Sequence, residues 1–432
     1  MQNQLLSNPD IVSYSRAIKP GLRENIFQFS VLVIINAFVG GMIGMERSIL
    51  PQIAENEFHL AAKTAILSFI IVFGITKAFS NFFAGAFAQK LGKKNLLVIG
   101  WCFALPVPFI LMYAQNWNWI LLANVLLGIQ QGLTWSMTVV MKIDLAGEKK
   151  RGLAMGLNEF AGYLALALVA FVTGYIAQHY GLRPYPFYIG VALSISGLLS
   201  SIILVKDTSA FVQKESAAST LNPSKHIFQE TTWSNRNLSA VTFAGLVNNL
   251  NDGMTWGILP ILLLSKHFTM AEAASIAAVY PAVWGLAQIF TGSLADKICK
   301  KSLLYWGMLL QGLTLLLLIP ANTFWQYIFL SALLGFGTAM VYPTFMASIA
   351  DNTHPGDRTK SIGIFRLWRD LGYALGAIIT GLLADQFNLY FAISFVAFIT
   401  ILSALNIRTR MSCQTNNPNI TQFFTKHFRQ LS

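Results

Sequence analysis

Apolar stretches of the length of a bilayer core recur twelve times along this chain, each bounded by short polar runs. A helix that crosses hydrocarbon needs about 20 mainly apolar residues. No water is available there, so every backbone N–H and C=O must be satisfied within the segment, and stretches of this length fold as helices. The stretches predict spans over 27–50, 62–88, 96–114, 117–142, 152–178, 185–205, 237–263, 271–295, 302–320, 323–350, 361–384 and 389–407. Between spans six and seven, 206–236 is polar and reads as a linker with room for a short surface helix. The expected organisation is an N-terminal tail (1–26), a six-helix bundle (27–205), the linker (206–236), a second six-helix bundle (237–407) and a C-terminal tail (408–432). Only 11% of residues are charged and 55% are apolar, against roughly 25% charged in an ordinary soluble domain. Most of such a surface must face lipid.

The net charge of +12 raises the question of nucleic acid, which calls for Lys and Arg clustered on one face with stacking aromatics. Here the cations fall in short runs between spans, as the positive-inside rule expects of cytoplasmic loops. The N-terminal tail, Lys90/Lys93/Lys94, Lys149/Lys150/Arg151, the linker, Lys297/Lys300/Lys301, Arg358/Lys360 and the C-terminal tail all fall on one side; Lys63, Arg183 and Lys266 fall on the other. This asymmetry puts both termini in the cytoplasm and requires an even number of spans. No cleavable signal peptide is read in the first 26 residues, which hold Arg16, Lys19 and Arg23 without an apolar core. Cys102, Cys299 and Cys413 are few and far apart, with neither a disulfide framework nor metal-ligand spacing.

The chain repeats itself. Gly85-Ala-Phe-Ala-Gln89-Lys90-Leu-Gly92-Lys93-Lys94 follows span two and Gly292-Ser-Leu-Ala-Asp296-Lys297-Ile-Cys299-Lys300-Lys301 follows span eight, an offset of 292 − 85 = 207. The same offset relates Leu127-Gly128 to Leu334-Gly335, Asp144 to Asp351 and Thr173-Gly174 to Thr380-Gly381. Spans one and seven share Gly44-Met45-Glu46-Arg47-Ser48-Ile49-Leu50-Pro51 and Gly253-Met254-Thr255-Trp256-Gly257-Ile258-Leu259-Pro260 at 253 − 44 = 209. Two parallel repeats of six helices imply a pseudo-twofold axis along the membrane normal. A solute site between them can open to either side as one bundle rocks against the other.

The loop after span eight fits the motif G-x-L-A-D-[RK]-x-G-[RK]-[RK], and in this the chain resembles the major facilitator superfamily over nearly its whole length outside the tails and linker. Cys299 stands where glycine is usual, and Gln89 stands where the first copy usually has an acid. The resemblance implies a twelve-helix transporter fold in which Gly85, Gln89, Lys90, Gly292, Asp296 and Lys297 belong to loops that close the cytoplasmic face. An arginine expected before Gln131-Gly132 in span four is absent, as is the Gly-Pro element of many antiporters in span five. The GMER segment of span one and RLWRD-x-GY of span eleven resemble bacterial members of the superfamily, and the compact chain with short loops points to a bacterial inner membrane.

Ionisable residues within spans cost about 2.5–3.5 kcal/mol each by insertion scales, so they face a cavity or one another. Asp252 lies near the middle of span seven, with Asn248 at i,i+4 on the same face and Asn251 beside it. Its readings are a substrate contact, a protonation site or an interhelical packing device. Glu46 and Arg47 in the outer half of span one point about 100° apart, so each needs a partner on another helix, as a solute contact, an outer gate or an interfacial pair. Arg366, Arg369 and Asp370 lie early in span eleven, and the repeat matches Arg366 to Glu159 in span five (366 − 159 = 207). Opposite charges there suit a gate between halves or an anion-binding vestibule. Lys77 could neutralise an anionic solute or reach to the interface. Gln130, Gln131, Trp135, Tyr280, Trp284 and Tyr342 are candidate cavity-lining groups, with packing as the plainer reading. No P-loop, H-E-x-x-H or CxxC is present, so neither an enzyme nor a cofactor is expected. The expected activity is secondary transport of a small organic solute, proton-coupled and outward, by a monomer in the bilayer. A facilitator or symporter for a metabolite or organic anion is the alternative, and a receptor on the same scaffold a third reading.

Overall fold

The computed structural model describes residues 19–47, 49–60 and 68–413; Lys63, Ser48 and most of both tails lie outside them. The described residues are helical, without strands. The first set of long helices is α1 (Ile26–Arg47, resumed as Leu50–Asn56), α2 (Ser68–Leu91), α3 (Lys93–Ala104, resumed as Pro106–Tyr113), α4 (Trp117–Ala146), α5 (Arg151–Tyr180) and α6 (Tyr188–Ile203). The second is α7 (Arg236–Ser265), α8 (Met270–Ala295), α9 (Lys300–Leu318), α10 (Phe324–Asp351), α11 (Arg358–Gln386) and α12 (Leu389–Arg410). Packing in the first set recurs in the second: α1 on α5 as α7 on α11, α2 on α4 as α8 on α10, α3 on α4 as α9 on α10. The linker carries a short helix, Ser209–Ala218.

Ten helices among the described residues are long and apolar enough to cross a membrane. The two remaining long helices, α7 and α11, have 30 and 29 residues. At about 1.5 Å per residue each exceeds the roughly 30 Å hydrocarbon core. They fall short on apolarity because their polar residues are gathered on an inward face. Arg366, Arg369 and Asp370 of α11 are buried, while Leu375, Ile378 and Leu382 of the same helix are exposed. This is the patterning of a membrane helix that lines a polar interior.

Local chemistry sets the helix ends. Asn116, Asn235 and Asn388 cap α4, α7 and α12, and Thr269 and Thr323 form capping boxes with Glu272 and Gln326 at α8 and α10. α5 and α11 have no side-chain cap from their own N-cap residue, which matters below. Close packing follows from glycine. A Cβ at Gly376 would lie 2.4 Å from the Leu250 carbonyl, one at Gly372 2.2 Å from that of Leu246, and one at Gly40 2.0 Å from that of Gly162. Only a residue without a side chain lets these backbones approach so closely. One proximity was not legible in the sequence: Cys299 and Cys413 come to a Cα–Cα distance of 5.7 Å. The fold brings the start of α9 to the end of α12, a proximity that a separation of 114 residues conceals.

Candidate functional site

The two sets of helices touch where α2 meets α11 and α5 meets α8. These contacts lie where α2 and α8 end and α5 and α11 begin. Gly85 of α2 approaches Thr359 and Gly363 of α11, and Gly152 and Gly156 of α5 approach Gly292 and Gln288 of α8. No dense packing joins α1 to α7.

Asp296 holds the second of these joints. Its two carboxylate oxygens accept hydrogen bonds from the backbone N–H groups of Gly152 (2.7 Å) and Leu153 (2.9 Å). The first turn of α5 leaves N–H groups without intrahelical partners, and the acid that satisfies them comes from α8. At the pseudo-symmetric joint Gln89 has one acceptor oxygen instead of two and no charge, and its amide nitrogen is a donor. It donates instead to the Gly356 carbonyl before α11 (2.6 Å). One latch is therefore anionic and the other neutral. Lys90 and Lys297 of the same motifs are exposed and make no ion pair among the described residues.

Beneath the latches lies an ionic network on which the sequence reading was silent. Arg151 pairs with Asp351 (2.7 Å), and Arg358 lies 3.5 Å from Asp144, each crossing between the sets. Lys93 pairs with Asp144, and Lys300 with Asp351 (2.7 Å). Every member obeys the repeat: 358 − 151, 351 − 144 and 300 − 93 all equal 207. Glu215 of the linker helix breaks the symmetry by reaching both arginines, Arg358 at 2.5 and 3.0 Å and Arg151 at closer range. Burial pushes the Glu215 carboxyl up, but the hydrogen bonds and charges of Arg358 and Arg151 outweigh it and hold the group below its ordinary value. The offset was the signal that could have found the arginines; nothing in the linker's composition marks Glu215.

Further in, α11 and α2 share a buried polar layer. Asp370 takes Nε and Nη2 of Arg369 (2.9 and 2.6 Å) on one oxygen and the Asn81 amide (2.6 Å) on the other. Arg366, four residues before Asp370, instead donates to Ser136 of α4 (3.1 Å) and lies 3.5 Å from Asn81 Oδ1. Its repeat partner Glu159 accepts from Trp135 Nε1 (3.1 Å) and Asn158 (2.7 Å), and no ion pair joins Glu159 to Arg366 among the described residues. An aromatic strip runs beside this layer and crosses between the sets: Trp135 to Tyr163 (5.7 Å between ring centres), Tyr163 to Trp284 (4.4 Å), Trp284 to Tyr342 (5.2 Å). A cation stands at each end, Lys77 at 5.7 Å from the Trp135 ring and Arg369 at 5.1 Å from that of Tyr342.

On α7, Asp252 is buried and accepts a hydrogen bond from Tyr280 of α8, whose hydroxyl lies 3.2 Å from Thr338. No cation pairs with Asp252 among the described residues. Asn248, one turn earlier on the same face, is fully buried, and neither end of its amide has a partner. Asn251 turns away: it donates to Gln311 of α9 (3.1 Å) and accepts from Thr400 of α12 (2.7 Å), inside its own helix set. Gln131 likewise donates inward, to the Val39 carbonyl of α1 (2.6 Å), and Gln130 to Thr134 of its own helix (3.1 Å). Glu46 is fully buried against Asn124 of α4 (3.3 Å), while Arg47 stands over the Phe69 and Phe73 rings at 6.0 and 5.3 Å. Sequence neighbours thus find partners on different helices, as the 100° step requires. Sequence reasoning missed Asn81, Ser136 and Tyr163, whose uncharged side chains carry no signal within an apolar stretch.

Magnitudes identify the unusual group. A cation–π contact contributes about 0.5–2 kcal/mol, while a cation in a span costs about 2.5–3.5 kcal/mol. Lys77 has the rings of Phe73 and Trp135, each at 5.7 Å, and no ion-pair partner among the described residues. The two rings together offset about 1–4 kcal/mol of that cost, and no hydrogen-bonded acid among the described residues adds to them.

Residues 32–238 and 241–423 match the family profile described as Major Facilitator Superfamily. The multidrug resistance protein MdtG of Proteus mirabilis is 24% identical over 353 residues, covering 78% of this chain and 85% of that protein. MdtG of Salmonella typhimurium is 23% identical over 346 residues, covering 78% and 83%. Among solved structures, the fold is similar to FucP in its outward conformation (TM-score 0.73, 16% identity, 89% of this chain and 98% of that one). It is also similar to the human organic anion transporter MFSD10 (TM-score 0.72, 14% identity, 90% and 100%).

Proposed function

We propose, for a chain that belongs to the Major Facilitator Superfamily, that its secondary transport of a small solute is proton-coupled and directed out of the cell. The protein is a multi-pass integral membrane protein and not an enzyme. In this reading 27–205 and 237–407 move as two bundles about the pseudo-twofold axis, with 206–236 as their cytoplasmic tether. The termini are cytoplasmic, and the molecule works as a monomer in a bacterial inner membrane. The cytoplasmic joints at Gly85 and Gly292, with their ion pairs, are the inner gate, and the described conformation has that gate shut.

The observation that carries the proton is Asp252. A carboxyl buried in mid-membrane, with a tyrosine hydroxyl as its donor and no ion-pair partner, can gain and lose a proton without breaking a salt bridge. Glu46, equally buried with only an amide beside it, is the second candidate. Outward direction is supported by the name of the MdtG relatives, multidrug resistance proteins, and by an interior lined with aromatic rings.

The test is solute-driven proton movement in proteoliposomes carrying an internal pH dye, across a panel of drugs and metabolites. Wild type should move protons with at least one compound class. Asp252→Asn should not, while unfolding at a midpoint close to wild type. Undiminished proton movement in both Asp252→Asn and Glu46→Gln would end this reading.

A further inference from the structure

Charge in the buried layer does not balance locally. Half-buried Lys77 and buried Lys142, Arg366 and Arg369 stand with the buried acids Glu159, Asp252 and Asp370, one cation in excess. The acids are already engaged: Asp370 by Arg369 and Asn81, Asp252 by Tyr280, and Glu159 by Trp135 and Asn158 on one oxygen. The second oxygen of Glu159 has no hydrogen-bond partner, yet Lys77, Lys142 and Arg366 all lie within its electrostatic reach, so the position attracts no further cation. Of the cations, Arg369 is neutralised by Asp370, Lys142 donates to the Leu32 carbonyl (3.0 Å), and Arg366 is fixed to Ser136. Lys77 alone among these four makes no hydrogen bond or ion pair among the described residues: rings stand beside it, and the two carboxylates within its electrostatic reach, Asp370 and Glu159, are held by other donors.

The rings form a path. Arg47 and Lys77 share Phe73, at 5.3 and 5.7 Å, and Phe73 and Lys77 are one turn apart on α2. Cation and ring therefore alternate from the outer half of α1 down to Trp135, where the strip to Tyr163 and Trp284 begins. Along that strip the indole N–H of Trp284 is buried without an acceptor. A donor without an acceptor, a cation without a hydrogen-bonded anion and a run of π faces all call for one type of occupant.

We propose that the transported solute is an organic anion with a planar aromatic body, its acid group at Lys77 and its ring along Trp135, Tyr163 and Trp284. This rests on the transport reading above and adds the substrate class to it. Arg47 is the outer station of the same path.

The test is isothermal titration of the detergent-purified full-length protein at low salt. The probes are three isosteric aromatics: 2-naphthoate, 2-naphthamide and 2-naphthylmethylammonium. Wild type should bind naphthoate about tenfold or more tighter than either of the others, as loss of a charge-assisted contact implies. Lys77→Gln should bind naphthoate and naphthamide equally, and Lys77→Arg should keep the preference, which separates lost charge from lost fold. Tighter binding of the ammonium probe, an undiminished naphthoate preference in Lys77→Gln, or binding of no probe would overturn the proposal. Equilibrium binding needs no gradient, so a failure here leaves the proton-movement assay to judge transport. If neutral or cationic solutes move protons there, the substrate class falls and the transport reading stands.

Discussion

Asn251 and Asp252 are adjacent in sequence and serve different neighbours, because one residue of helix turns a side chain by about 100°. Asn251 is fastened to α9 and α12; Asp252 faces α8 and Tyr280. The acid was legible in the sequence, since an ionisable group in hydrocarbon is costly wherever it stands. The direction it faces was not, since that depends on which neighbour packs against which face. Hydrogen bonds to charged groups contribute about 1.5–3 kcal/mol, so the Tyr280 contact should show as coupling. In a double-mutant cycle of Asp252→Asn and Tyr280→Phe, unfolding in detergent should give a non-additive term of about 1–3 kcal/mol. A strictly additive cycle would mean that the hydroxyl does not hold the carboxyl.

The helices α7 and α11 show how a membrane span can be less apolar than its neighbours. Their polar side chains are turned inward and their lipid faces kept apolar, so mean hydropathy drops while the surface seen by lipid does not change. The sequence reading took both as spans from their apolar stretches, 237–263 and 361–384, and the repeat matches them to α1 and α5. What joins them is backbone proximity. A Cβ at Gly376 would sit 2.4 Å from the Leu250 carbonyl, whereas one at Gly381 on the same helix would meet nothing within 4 Å. Gly376→Val should therefore force α7 and α11 apart and destabilise by about 1–3 kcal/mol, the usual cost of overpacking. Gly381→Ala should be neutral or stabilising by up to about 1 kcal/mol, because alanine is the better helix former. Thermal unfolding midpoints of the two variants decide it, and equal effects would contradict the packing described.

At the scale of the whole molecule, the ion pairs that join the two sets of helices draw on both sets and on the linker, and in the proposed reading they hold the inner gate shut. Arg151 and Arg358 are related by the repeat, and Glu215, which bridges them, has no counterpart related by the repeat. Glu215→Gln should weaken the shut gate. The effect can be read as a longer and broader distance between spin labels at Lys90→Cys and Lys297→Cys, exposed sites on opposite bundles, in a cysteine-free background. The pH dependence has a definite sign. The Glu215 carboxyl is held below its ordinary value of 4.5, so its contribution to closure is complete above that value. It is lost as pH falls through the lowered value. Wild-type distances should lengthen in that acid range, and by less in Glu215→Gln. Identical pH profiles would remove Glu215 from the gate.

The sequence by itself determined the solvent of this protein, the number and rough extent of its helices, their parallel repeat and the acids and bases held within them. These follow from hydrocarbon length, from the cost of exposed peptide groups in lipid and from one recurring offset, all of which are properties of a chain read in order. Only the tertiary structure decided which of those groups meet. Asp370 goes to Arg369 and Asn81, and Glu159 to Trp135 and Asn158; Asp296 caps a helix of the other set, while Gln89 in the matching place donates to a carbonyl. Lys77 has rings beside it and no ion pair among the described residues. Pairing in a low-dielectric interior is set by angles about each helix axis and by distances of a few ångströms between helices far apart in sequence. Those quantities come into being only when the two sets of helices are packed together.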